Sequence, residues 1–296
     1  MTQALQKHLL QLEAFRSGQD FLSKARAFLL ENEALNNLTL GIAEAPPSSP
    51  SAAENAYWAI ASDLSTNTIA MTAMHTESRP VVLSGSHEEA ARAIANDLLA
   101  NESEREITGV LGLPGPAHAF AEIIVKSPLN NIQNYSVRMR QGAYQLSQVI
   151  HPKGIEGQFR PARIEEAPLL EQWAVHFAHD AGHGDEAEMF RKSIPSRIGA
   201  QFLYVWERRG EAVSMASLGR FTPKGAVISL VYTPKEHRGK GFGASVTASL
   251  SAHCLEQGKQ YCFLYADLDN PASNKIYKAM GYELKAECLL LAFKPS

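Results

Sequence analysis

Residues 237–245 read HRGKGFGAS: Gly239, Gly241 and Gly243 stand two apart, with Arg238 before them and Lys240 between. An apolar strand-like run, AVISLVYT (226–233), precedes the stretch, and an apolar helix-like run, GASVTASLSAHCLEQG (243–258), follows at once. A helix start exposes unpaired N–H groups and the positive end of the helix dipole, which suits a phosphate. Glycine lets the backbone approach such a ligand and take turn conformations closed to other residues. In isolation the same string also reads as a glycine turn on a solvated face, because short glycine motifs recur by chance.

The elements around the loop narrow the choice. FRPAR (159–163) reads as a short strand and EEAPLLEQWAVHFAHDA (165–181) as an amphipathic helix. DEAEMFRKSIPSRIGA (185–200) is helical at first and is expected to break at Pro195. QFLYVWERRG, EAVSMASLGRF and AVISLVYT then form three strands joined by turns at Arg209-Gly210 and Pro223-Lys224-Gly225, links short enough to pair them antiparallel. After the loop and its helix, which Gly258 stops, come strand YCFLYA (261–266), helix PASNKIYKAM (271–280) and two strands, YELKAE and LLLAF.

The first half repeats this order more faintly. Helices are expected near 3–15 and 19–31 and strands at 56–62, 68–74 and 80–85. Helix 88–100, strand 107–113, helix 116–126 and final strands over 135–150 follow. GIAEAPPSSPSAAEN (41–55) reads as a long loop, and the proline- and glycine-bearing QVIHPKGIEGQFRPA (148–162) as the boundary. Two domains are expected, 1–150 and 158–296, each a mixed α/β sheet. Where the second carries TPKEHRGKGFGA, the first has only SGSHEE, with one glycine, no Arg or Lys and two carboxylates.

Three phosphate-loop patterns compete for 237–245. The string GxxxxGK followed by Ser or Thr is absent. Gly239, Gly241 and Ala244 satisfy GxGxxA, but a dinucleotide loop begins directly after its strand, and here TPKEHR intervenes after Tyr232. Arg238, Gly241 and Gly243 match R-x-x-G-x-G, which resembles the pyrophosphate loop of the GNAT superfamily of acyl-CoA-dependent N-acyltransferases. Downstream, NPASNKIYKAMGYE (270–283) is similar to that superfamily's next block, with an Asn, a later Tyr and a closing Gly-aromatic pair. The resemblance covers about 158–296 and extends to tandem GNAT-like bacterial proteins, the N-terminal domain being a degenerate relative without the phosphate loop.

The resemblance implies roles for particular residues. Val231, Tyr232 and Thr233 would offer backbone groups to pantetheine and the acyl carbonyl. The amides of Arg238, Gly239, Lys240, Gly241, Phe242, Gly243 and Ala244 would hold the pyrophosphate. Asn270, Ser273, Asn274 and Tyr277 lie at i, i+3, i+4 and i+7 on one helix face and would complete the cofactor site. A Tyr at the position of Tyr277 can protonate the departing thiolate, since a phenol stays neutral at pH 7. The strand AVISLVY carries no glutamate, so the superfamily's commonest base is missing. Asp267 is the better of two aspartates at the end of YCFLYADLDN, although such a residue is more often a turn cap. His176, His179 and His183 with Asp180 and Asp185 have neither HExxH nor a Cys pair among them, and Gly182 and Gly184 break their helix, so no metal is expected.

Composition bounds the rest. With 28 Lys and Arg against 31 Asp and Glu, a net charge of −3 argues against a nucleic-acid binder. No apolar run reaches membrane-spanning length, no secretory leader is visible, and Cys254, Cys262 and Cys288 lack CxxC spacing. A cytoplasmic monomer or homodimer is expected, using acetyl-CoA as co-substrate to acylate a primary amine on a small molecule or peptide. The alternatives are a non-catalytic acyl-CoA sensor and, less favoured, nucleotide binding through GxGxxA.

Overall fold

The computed structural model describes residues 9–45, 56–101 and 105–295. They divide into two compact units, residues 1–142 with 286–296, and residues 143–285.

The first unit runs β1 (Leu10–Phe15), α1 (Gly18–Glu31), α2 (Glu33–Ala43), β2 (Tyr57–Asp63), β3 (Thr68–His75), β4 (Val81–Ser84), α3 (Glu88–Asn101), β5 (Gly109–Gly112), α4 (Pro114–Lys126) and β6 (Ile132–Leu146). β1 to β4 pair antiparallel in sequence order, and β4 meets β5 in parallel at Val81↔Val110. One face buries Phe21, Leu29, Leu40 and Trp58 under α1 and α2. The other buries Ile94, Leu98, Phe120 and Ile124 from α3 and α4.

Two expectations fail here. Residues 10–15 form a strand, not a helix, and pair with β2 from Leu10↔Asp63 to Phe15↔Trp58. Leu10 and Leu12 alternate with Gln11 and Glu13, the period of a half-buried strand; residues 3–8 of that expected helix lie outside the described residues. The unexpected helix is α2, capped by the Asn32 side chain accepting from Leu35 N–H. Its buried polar residues hid it: Asn36 donates to the Leu29 carbonyl at 3.0 Å and Asn37 to that of Ala34 at 2.6 Å. Of the expected 41–55 loop, 41–43 close α2 and 46–55 lie outside the described residues.

The second unit runs β7 (Gln158–Pro161), α5 (Ala167–Asp180), α6 (Ala187–Gly199), β8 (Leu203–Arg208), β9 (Glu211–Phe221), β10 (Gly225–Tyr232), α7 (Phe242–Glu256), β11 (Tyr261–Asp267), α8 (Pro271–Ala279) and β12 (Glu283–Pro295). β7 through β10 pair antiparallel, and β10 meets β11 in parallel. The core under α5 and α6 contains Leu170, Trp173, Ile194, Leu230 and Tyr232. On the opposite face, Val246, Leu250 and Cys254 of α7 pack with Tyr144, Met280 and Tyr282. α6 passes through Pro195 without ending. That residue is exposed, so the carbonyl its ring leaves unpaired can meet water.

Residues 283–295 form one strand, not two, and its residues 286–295 belong to the first unit. There β12 pairs antiparallel with β5 from Leu289↔Gly112 to Ala292↔Gly109. Residues 143–146, the end of β6, belong to the second unit and lie beside β11. Each unit is therefore a mixed sheet with helices on both faces, and neither is one unbroken span of sequence.

Candidate active site

The site begins with a strand that leaves its neighbour. β10 and β11 pair only at Gly225↔Tyr261, Ala226↔Cys262 and Val227↔Phe263. On its other side β10 slips register against β9 between Ser229 and Tyr232, where Leu230 takes φ +49°. Such a bulge bends a strand and re-aims its backbone groups. Val231, Tyr232 and Thr233 follow it, off the β11 ladder.

Side chains fix the end of this strand. The Ser214 hydroxyl donates to the Tyr232 carbonyl at 2.9 Å and lies 2.8 Å from the Thr233 hydroxyl. The Tyr232 ring enters the α5 face beside Trp173 and His176, at 6.2 Å from each ring centre, and burial raises its phenol pKa. Arg238 closes the arrangement. Its Nε donates to the Thr233 carbonyl at 2.9 Å, its Nη2 to Asp180 at 2.5 Å, and its guanidinium lies 5.6 Å from the Tyr232 ring centre. Arg238 thus clamps strand end, loop and α5 together. Lys240 donates to the Glu236 carbonyl at 2.8 Å.

The loop has the geometry its glycines permit. Gly239 and Gly241 take φ +75° and +81°, a region unfavourable to side chains. A Cβ on Gly241 would also stand 2.7 Å from Ile155 Cδ1. Gly243 is required by contact, since its Cβ would lie 2.9 Å from the Thr233 hydroxyl. The first backbone bond of α7 runs from Ser245 N–H to the Gly241 carbonyl at 2.9 Å, and the amides of Gly239 to Ala244 take no backbone partner. Phe242 turns inward and is buried, so only its amide faces the loop. The loop is therefore a run of amides without backbone partners at a helix start, exposed at Gly239 and Lys240 and half-buried at Gly241, Gly243 and Ala244, a shape that fits a phosphate.

α8 starts at Asn270, whose side chain accepts from Ser273 N–H at 3.1 Å. Asn274 is buried, and its carboxamide is fully engaged. Nδ2 donates to the carbonyls of Asp267, Leu268 and Asn270 at 2.9, 3.2 and 2.7 Å, and Oδ1 accepts from Tyr144 at 2.8 Å. That side chain seats α8 on β11. Asp267 Oδ1 accepts from Asp269 N–H at 2.9 Å, a turn-capping bond that leaves Oδ2.

Tyr277 is half-buried between Tyr144 and Tyr282, with ring centres 6.3 and 6.1 Å away. Burial alone pushes its phenol pKa up to about 12, and no hydrogen-bond partner contributes. Its proton is held and unclaimed. The three thiols are buried away from solvent; burial pushes Cys288 up to about 12, and the contact between Cys254 and Cys262 raises Cys262 and lowers Cys254. None is an available nucleophile.

The histidine-rich segment disperses. Asp180 goes to Arg238, His176 to Tyr232 and His179 to the neighbourhood of Gly184. Among the described residues no group of three or more potential metal ligands converges. Sequence reasoning missed Ser214 and Ile155. Ser214 is one of two serines in β9 and Ile155 lies in a linker, so neither carries a periodic signal.

The matching loop of the first unit is differently equipped. His87 Nδ1 accepts from Ala90 N–H at 3.2 Å, and Glu88 and Glu89 occupy the first turn of α3 with Arg92 against them. That helix start is capped and faced by carboxylates.

Residues 207–291 match the FR47-like protein family. A mycothiol acetyltransferase of Corynebacterium aurimucosum is 26% identical over 124 residues, covering 39% of this chain and 38% of that protein. The match thus spans about two fifths of that relative. Among solved structures, a GCN5-related N-acetyltransferase from Sphaerobacter thermophilus aligns at TM-score 0.62 and 12% identity, covering 99% of this chain and 97% of the other. A tandem GNAT protein from the clavulanic acid biosynthesis pathway aligns at TM-score 0.53 and 12% identity, covering 97% and 98%.

Proposed function

We propose that this chain, whose residues 207–291 match the FR47-like family and whose fold is that of GNAT acetyltransferase structures, is a GNAT enzyme whose second unit transfers an acetyl group from acetyl-CoA to a primary amine. The observation that carries this reading is the run of amides without backbone partners from Gly239 to Ala244, placed at the start of α7 beside a strand that has parted from β11. Acetyl-CoA supplies the activated acyl group. The loop amides and the α7 dipole hold its phosphates, while the backbone after the Leu230 bulge receives the pantetheine chain and the acyl carbonyl. A backbone N–H aimed at that carbonyl stabilises the oxygen charge that develops as the amine attacks, an effect of about 10²- to 10³-fold where such donors have been removed. The amine nitrogen bonds to the carbonyl carbon as the C–S bond breaks, and the sulfur leaves with the bonding pair. Tyr277 gives that sulfur its proton. Asp267, through Oδ2, or water takes the proton from the amine. The first unit, with its capped and acidic helix start, is proposed as a degenerate relative that binds no acyl-CoA.

A calorimetric titration of acetyl-CoA into the wild-type chain and Gly241→Asp tests the reading. Binding in the micromolar range that the carboxylate abolishes, with the melting temperature of the variant measured alongside, is the expected result. A folded wild-type chain that binds no acetyl-CoA sinks the proposal. The turn-capping bond of Asp267 and the absence of a glutamate on β10 favour one second reading, a protein that binds acyl-CoA without transferring the group. Turnover of acetyl-CoA with an amine panel separates the two.

A further inference from the structure

A cation outside the glycine loop faces the same helix start. Arg208, the last residue of β8, places its guanidinium carbon 5.9 Å from the ring centre of Phe242, the first residue of α7. Its Nε donates to one oxygen of Glu156 at 2.9 Å, and Nη2 lies 2.8 Å from the same oxygen as an ion pair. Glu156 sits in the linker that enters β7, and that linker is fastened. The Glu156 carbonyl accepts from the Trp206 indole at 3.1 Å. Gly157, at φ +136°, comes so close to Trp206 and the Glu207 carbonyl that a Cβ has no room. On its other side, Ile155 reaches the Gly241 position of the loop. Three consecutive residues therefore span from β8 to the candidate phosphate site.

This puts an arginine and its carboxylate partner beside the first residue of the helix whose start is proposed to hold an anion. A fixed negative charge there opposes a phosphate, and its arginine partner would favour one. The pair is weak by construction, since the Glu156 and Arg208 side chains are 62% and 32% exposed, and exposed ion pairs contribute little. A phosphate offers more charge and more acceptor oxygens than a carboxylate, and a guanidinium binds it bidentately.

Resting on the acyl-CoA reading above, we propose that Arg208 is a phosphate ligand held in reserve by Glu156. Without ligand the guanidinium pairs with Glu156; when the nucleotide thiol binds, one of its phosphate groups takes Arg208 over and Glu156 is left to water. The chemistry is that of a phosphate, either the pyrophosphate or the ribose 3′-phosphate of CoA. Glu156 thus acts against affinity, and its loss has the opposite sign from the loss of Arg208.

Calorimetric titrations of CoA and of 3′-dephospho-CoA into wild type, Glu156→Gln, Arg208→Gln, Arg208→Lys and the Glu156→Gln/Arg208→Gln double variant test this, with thermal melts confirming that each is folded. Glu156→Gln is expected to tighten CoA about two- to fivefold, the range of an exposed pair. Arg208→Gln weakens it by at least as much, Arg208→Lys recovers part of the loss, and the gain from Glu156→Gln vanishes in the double variant. If these effects disappear with dephospho-CoA, the 3′-phosphate is the group that takes Arg208; if they persist, it is the pyrophosphate. An unchanged or weaker CoA affinity in Glu156→Gln, or a gain undiminished when Arg208 is gone, overturns the exchange while leaving the acyl-CoA reading intact. Failure of folded wild type to bind CoA overturns both.

Discussion

At the scale of single residues, Tyr277 and Asp267 divide the proton traffic in the proposed reaction, and the structure treats them differently. Tyr277 has a raised pKa and no competing bond, so it remains a proton donor across the range in which an enzyme is assayed. Tyr277→Phe keeps the ring contacts with Tyr144 and Tyr282 and removes only the hydroxyl. It is expected to lower kcat by about 10- to 100-fold, at or below the low end of general-acid contributions, with acetyl-CoA affinity unchanged by titration. The raised pKa also fixes a sign. The folded state prefers the neutral phenol, so stability from this group is complete below pH 10 and declines as pH rises from about 10 through 12. Any loss of rate between pH 8 and 10 must therefore persist in Tyr277→Phe; if the substitution removes it, Tyr277 titrates lower than its burial implies. Asp267→Asn preserves the cap on the 267–270 turn, so a fall in kcat there would mark the carboxylate as the base, and an unchanged rate would leave it a turn residue.

At the scale of elements, the two motif-bearing stretches were legible because their chemistry is local. Glycines at left-handed positions, a cation before them and an apolar helix after them all lie within one short string. The parting of β10 from β11 was not legible, because it depends on a bulge at Leu230 that no glycine or proline announces. α8 shows how a face read from spacing can mislead. Asn270, Ser273, Asn274 and Tyr277 share the expected i, i+3, i+4, i+7 spacing, yet the structure uses Asn274 to fasten the helix, a role that spacing alone cannot separate from ligand binding. Asn274→Ala would strip the Tyr144 hydroxyl and the Leu268 carbonyl of their partner, while the Asp267 and Asn270 carbonyls keep the backbone N–H groups of Asn270 and Asn274. It is expected to cost about 1–3 kcal/mol of stability by denaturant titration. Asn274→Asp, with no N–H to give, should recover little of the loss. A neutral Asn274→Ala would return that side chain to the list of cofactor contacts.

At the scale of the whole molecule, the sequence conveys two repeats of one order of elements but not how the chain divides. β12 reads as two strands because its first residues are polar and exposed and its later ones apolar, and its partner β5 lies about 180 residues earlier. A pairing so distant leaves no mark on local periodicity. Its consequence is that the chain's last residues complete the unit in which the chain begins. Leu291 is wholly buried there, paired with Val110 and packed in the core with Phe120 and Ile124. Leu291→Asp would bury a carboxylate in that core without a partner, which costs several kcal/mol. The expected outcome is a lower melting transition, with early proteolytic cleavage within residues 9–142 and not first at the substituted end. Cleavage that begins between 143 and 285, or a melt unchanged from wild type, would mean that the final strand does not hold the first unit together.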